Sequence, residues 1–250
     1  MDQQPRPGEV PEAAPAAGTR GLGQLVRVFY EPSAVFRELA ARSAWVWPLV
    51  VVIALAIGLQ LLTAPRLDME GTIREGLERF GQADKLSAEQ IREMAAARGP
   101  MQTIGGIVGT VVVIPLVMVV LAAIYLMGLR AAGSEAGFGK SFSLLVYASA
   151  PPSIVQTVLT GIVAMGRDSF TQGELQKLVR SSLETWLPPE APKALMALGS
   201  VLDVFNVWYW VLLVLGLEIV GRIKRGPAIA IVTVLWGVYT LGKVGLSLLF

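Results

Sequence analysis

Cysteine and histidine are both missing from the 250 residues. That removes disulfides, thiol nucleophiles, thiolate and imidazole metal ligands, and imidazole acid-base catalysis together. Charge is scarce as well, at 16% of residues against roughly 25% in an average soluble domain. The 21 basic and 19 acidic side chains leave a formal net charge of +2. The sequence pI is about 9.0, but the basic residues are dispersed, so no nucleic-acid footprint of clustered Lys and Arg exists. No Walker glycine loop, Gly-x-Ser-x-Gly elbow, zinc-ligand spacing or fixed-period repeat occurs. A chain that is not an enzyme and carries no cofactor or metal is expected.

What the chain does have is long apolar runs: 54% of residues are hydrophobic and mean hydropathy is +0.59. About 20 mostly apolar residues cross a hydrocarbon core of roughly 30 Å. Five charge-poor windows of that length stand at about 45–64, 104–129, 142–165, 201–220 and 228–250. The predicted fold class is therefore all-α, a polytopic membrane helix bundle of five transmembrane helices plus short interfacial helices. Trp45, Trp47, Trp186, Trp208 and Trp210 lie at or near the ends of these windows, where indoles favour the interface. Residues 1–20 hold four prolines, three acids and no apolar run. They read as a disordered cytoplasmic tail, with 21–250 forming the membrane domain.

Orientation follows from Lys and Arg in short loops. Arg130 and Lys140 bracket the link between spans two and three, Arg222, Lys224 and Arg225 fill the link between four and five, and Arg37 and Arg42 precede span one. The opposite loops are long and nearly neutral: 65–100 has six basic and seven acidic residues, and 166–198 has four of each. A cytoplasmic N-terminus and an outside C-terminus are expected, in the inner membrane if the source is prokaryotic.

In the first long loop, Ser87 to Gln90 has the capping-box pattern ahead of Ile91, Met94 and Ala95, and Gly99-Pro100 is expected to stop that helix. In the second, Leu175, Leu178, Val179, Ser182 and Trp186 share a helical face before Pro188-Pro189. Both helices either cap the bundle or lie on lipid headgroups. Ahead of span one, Leu22, Leu25, Val26 and Phe29 form one apolar stripe, and Val35, Phe36 and Leu39 form another after Pro32. This pattern predicts a broken amphipathic helix lying on the inner leaflet.

The stretch from Tyr30-Glu31-Pro32 to Phe36, followed by a basic linker and a Trp-Pro-Leu entry to span one, resembles the opening of the Yip-one family. These are Ypt/Rab-interacting, five-span integral membrane proteins, here in their prokaryotic branch. The resemblance continues through Phe138 to Pro151, with Tyr147 preceding Pro151 in span three, and through Asp203 to Trp208 in span four. It implies a non-catalytic protein of membrane trafficking or bilayer organisation, with its N-terminal segment in the cytoplasm. The eukaryotic signature Asp-Leu-Tyr-Gly-Pro is absent, so a small GTPase partner is not implied.

Ionisable groups at membrane depth are costly and mark function by default. Glu218 and Arg222, spaced i,i+4, are expected to form an interfacial ion pair. Counted from the short loop between spans four and five, Asp203 and Lys243 fall within about 4.5 Å of one depth. An intramembrane Asp203–Lys243 pair helped by Asn206 is therefore predicted, as a static clamp rather than a relay. Pro115 and Pro151-Pro152 are expected to kink spans two and three.

The functional expectation is a scaffold of Yip type that binds the lipid bilayer and other membrane proteins, with a homo-oligomer left open. The alternative is a small permease or channel component, with Pro115, Pro151, Gln156, Asp203, Asn206 and Lys243 lining a path.

Overall fold

The computed structural model describes residues 17–249 apart from 80, 83, 84 and 189. Residues 1–16 of the expected tail lie outside the described residues. Helix α1 begins at Ala17, four residues inside that tail. Five helices are long and apolar enough to cross a membrane: α3 (Val46–Thr63), α5 (Ala88–Ala131), α6 (Phe138–Met165), α9 (Val204–Gly221) and α10 (Arg225–Leu249). They match the five windows to within a few residues at the membrane ends. No strand occurs among the described residues, only isolated bridges joining Leu67 to Phe170 and Ser182 to Asp203. In lipid every backbone group must be paired within the protein, and helices meet that demand segment by segment. The molecule is thus a five-span, multi-pass integral membrane protein.

Burial runs against hydropathy. The most apolar span, α5, has 6% of its most apolar stretch buried in the protein, whereas the least apolar, α6, has 61%. The reason lies in what each environment rewards. Lipid accepts Val, Ile and Leu without limit, while close helix contact favours small residues and side chains that bond across the gap. The first half of α6 supplies both. Ser141 Oγ donates to the Ala122 carbonyl of α5 at 2.9 Å, and Ala148, Ala150, Pro151 and Pro152 are buried. Helix α6 is therefore the axis against which α3, α5 and α9 pack.

Two loop predictions are corrected. The helix that opens at Ser87 has the capping box, Ser87 Oγ accepting from Gln90 N and Gln90 Oε1 from Ser87 N. It does not stop at Gly99-Pro100 but runs unbroken into span two. Upstream, Ile91 and Ala95 are buried against Ile73 of α4 (Met69–Arg79). That packing holds the extension in line and offsets the local cost of a helical proline. In the second long loop the single helix splits. A short α7 (Gln172–Lys177), with its own capping box from Thr171 to Glu174, precedes a 3-10 turn at Leu183–Trp186. Between them the backbone pairs elsewhere, Val204 N donating to Ser181 O and Leu183 N to Leu202 O. Those bonds draw Ser181 to Leu183 onto the junction between α8 (Lys193–Val201) and α9.

Candidate functional site

At the end of the bundle opposite α4 and α7, α1 (Ala17–Arg27) and α2 (Pro32–Ala41) form a hairpin. Pro32 suits the first turn of α2 because its missing N–H is one that a helix start leaves unpaired anyway. The expected leaflet-lying stripe is corrected here. Val35, Phe36 and Leu39 have no exposed surface, and Leu25 and Val28 are almost fully covered. Val28, Val35, Phe36 and Leu39 join the core with Leu144, Tyr147, Leu213 and Leu217 of α6 and α9. Gly216 permits this approach: a Cβ there would lie 2.9 Å from Leu144 Cγ and 3.2 Å from Phe36 Cε1. Only Leu22, Val26 and Phe29 of the predicted stripe remain outward, with Tyr30 beside them.

A polar chain ties the hairpin to the spans. Tyr147 Oη, on α6, donates to Gln24 Oε1 at 3.1 Å. Gln24 Nε2 donates to Glu38 Oε2 at 2.6 Å. Arg27 Nη1 donates to Glu38 Oε1 at 2.7 Å, and Arg27 also pairs with Glu31 at 3.4 Å. One residue from each of α6, α1 and α2 thus bonds in sequence, so burial of the apolar face strands none of these polar groups.

The Glu38 carboxyl is held below its ordinary value of 4.5, chiefly by the Gln24 amide, with partial burial opposing and Arg27 assisting. The Arg27 guanidinium is held higher still than usual, first by its bond to Glu38. A depressed carboxyl pKa contributes stability that is complete above the unfolded value and is lost as pH falls through the folded one. The thermal midpoint of the wild-type protein should therefore exceed that of Glu38→Gln at neutral pH. The gap should close as pH drops below 4.5, and a gap independent of pH would contradict the network.

The positions that carry the family resemblance converge on this hairpin. Pro32 opens α2, Phe36 fills the core, Tyr147 anchors Gln24, and Trp208 meets Phe29 edge-on with centroids 6.1 Å apart. Pro151 is buried one turn further along α6. Gln24 and Glu38 are absent from the sequence reading. Their one local signal is a polar residue beside each buried stripe, Gln24 next to Leu25 and Glu38 next to Leu39.

The predicted charge pairs do not form. Asp203 stands before α9, not inside it, as the N-cap: its Oδ1 accepts from Phe205 N at 2.8 Å and Asn206 N at 3.3 Å. Its Oδ2 accepts from Ser181 Oγ, and Asn206 Nδ2 donates to Val201 O at 3.2 Å. The ion pairs among the described residues do not include Lys243. The helix start, with its unpaired N–H groups and positive dipole end, supplies what Lys243 was expected to supply. Nor do those pairs include Glu218 with Arg222. Arg222 ends α9 in the left-handed region at φ 53, so it leaves the helical face on which an i,i+4 pair depends. Of the six residues grouped as a conduit, only Gln156 borders the cavity that opens between α3, α5 and α6.

Residues 26–246 match the Yip1 domain. The chain is 24% identical over 214 residues to "Membrane protein YknW" of Bacillus subtilis (strain 168), covering 86% of this chain and 85% of that protein. No solved structure matches.

Proposed function

This chain belongs to the Yip1 domain family, and on that premise we infer that it is a non-catalytic membrane-organising protein whose working surface is the docked α1–α2 hairpin. The observation that carries the reading is the division of the hairpin into two faces. One is locked into the spans through Phe36 and the bonds from Tyr147 to Gln24 to Glu38. The other offers Leu22, Val26, Phe29 and Tyr30 outward. A rigidly mounted apolar edge beside charged groups suits insertion into a leaflet or contact with another membrane protein.

The hairpin side is read as cytoplasmic. Arg37 lies on α2 itself and Arg42, Arg130, Lys140, Arg222, Lys224 and Arg225 lie at the span junctions beside it, whereas the opposite loops are nearly neutral. In a prokaryotic cell the membrane in question would be the inner one.

Reconstitution tests the function. Vesicles carrying wild-type protein should deform, as seen by electron microscopy. Vesicles carrying Leu22→Glu with Val26→Glu should look like protein-free ones while the protein keeps its unfolding midpoint. Equal deformation by both proteins would sink the reading. Both side chains are exposed, so the fold is expected to tolerate the change.

A further inference from the structure

At the end of the bundle away from the hairpin, a cavity of about 740 Å³ opens between α3, α5 and α6 beneath α7. Its size falls in the usual range for small-ligand sites, roughly 300–1,000 Å³. Its lining is unusual in kind. Gln60, Gln102, Gln156, Gln172 and Gln176 all border it, five of the ten glutamines in the chain, brought together from four helices. Four threonines accompany them, and no Asp, Glu, Lys or Arg takes part.

The hydrogen-bonding capacity of this lining is only partly used within the protein. Gln60 Nε2 donates to Thr110 Oγ1 across to α5. Thr63 and Thr160 donate to carbonyls of their own helices, each at 2.8 Å. The side chains of Gln102, Gln156, Gln172 and Gln176 make no hydrogen bond among the described residues. Each carboxamide brings two N–H donors and a carbonyl acceptor. Gln156 does so within span three, where polar side chains are costly and rare.

Gly106 adds to the shape. A Cβ there would sit 2.8 Å from Gln60 Oε1, so glycine leaves room for that carboxamide at the cavity wall. Leu59, Leu67, Met69 and Leu175 supply apolar patches between the amides.

We propose that this cavity binds an uncharged polyhydroxylated group, a glycosyl moiety carried on a lipid or free in solution. Amides donate and accept, as hydroxyls do, and the apolar patches suit the CH faces of a sugar ring. An anionic or cationic headgroup would meet no counter-charge there and would lose hydration without recompense. The site is independent of the hairpin and of the function assigned to it.

The test uses the full-length protein in phosphatidylcholine nanodiscs, because alkyl glycoside detergents would themselves present sugars. Native mass spectrometry then compares glucosyl diacylglycerol with phosphatidylglycerol, and titrating maltose forms a second arm. Selective retention of the glucosyl lipid, of maltose, or of both is expected. Displacement of the lipid by maltose assigns the site to the sugar itself, and failure of maltose to displace it assigns the site to a lipid-borne headgroup. Gln102→Leu with Gln156→Leu should weaken binding about tenfold, through loss of two side-chain hydrogen-bonding groups. Gln176→Leu, on α7 outside the spans, repeats the measurement should the double variant fold poorly. Binding of phosphatidylglycerol at least as tight as that of the sugars, no sugar binding at all, or binding unchanged in the folded variants would overturn the proposal.

Discussion

Phe36→Ala is expected to lower the stability of the protein by about 3–5 kcal/mol, the cost of emptying a fully covered aromatic site. Phe36 has no exposed surface and packs where α2 meets α9, against Gly216. Relaxation cannot easily refill that space, because α9 already approaches as closely as glycine permits. The loss should fall first on the hairpin, since α2 is held by few other large side chains. Trypsin should cut after Arg27 sooner in the variant, and the unfolding midpoint in detergent should drop. Phe36→Leu, which conserves most of the volume, should cost less than about 1.5 kcal/mol. A leaflet-lying α2 would give a different pattern: Phe36→Ala would weaken lipid contact and leave the midpoint of the spans unmoved.

The second large effect belongs to Asp203. Removing an N-cap carboxylate costs about 0.5–2 kcal/mol. Asp203→Ala also leaves the Ser181 hydroxyl with only its longer contact to Val179 O, at 3.4 Å, and loosens the bridge between Ser182 and Asp203. Thermal unfolding should place the variant at or beyond the upper end of that range. Lys243→Ala should lie within about 0.5 kcal/mol of wild type, as for a surface change. Double-mutant cycles should show coupling of Asp203→Ala with Ser181→Ala and none of Asp203→Ala with Lys243→Ala, where independent sites add within about 0.3–0.5 kcal/mol. Coupling of Asp203 to Lys243 above that level would restore the interhelical clamp and contradict the cap.

These two residues also mark where sequence reasoning reaches and where it stops. The five spans are legible because a run of about 20 apolar residues has few alternatives in a chain this poor in charge. The Ser87 capping box is legible because it is local, three residues from donor to acceptor. The fate of α2 is not legible in the same way. A stripe such as Val35, Phe36 and Leu39 has one composition whether it faces acyl chains or protein, for lipid tails are as apolar as leucine. What decides between them is Tyr147 reaching Gln24, and those residues stand 123 positions apart.

The Asp203–Lys243 pair failed for a related reason. Counting residues from a loop gives depth along a helix. It does not reveal that Asp203 stands one residue before α9 begins, where N–H groups already await an acceptor. The run of α5 through Gly99-Pro100 likewise depends on Ile91 and Ala95 meeting Ile73 across the loop. The cavity glutamines are visible singly in the sequence, but their convergence depends on the packing of α3, α5, α6 and α7.

The natural absence of cysteine allows the docked hairpin to be tested without background. Single cysteines at Val35 and Val26, each a modest change of volume, should be exposed to a lipid-soluble maleimide in reconstituted vesicles. The docked hairpin predicts rapid labelling at 26, which is 61% exposed, and negligible labelling at 35, which is wholly buried. Labelling of the two at comparable rates, in a protein whose spans remain folded, would show α2 lying free on the leaflet and contradict the docking on which the proposed function depends.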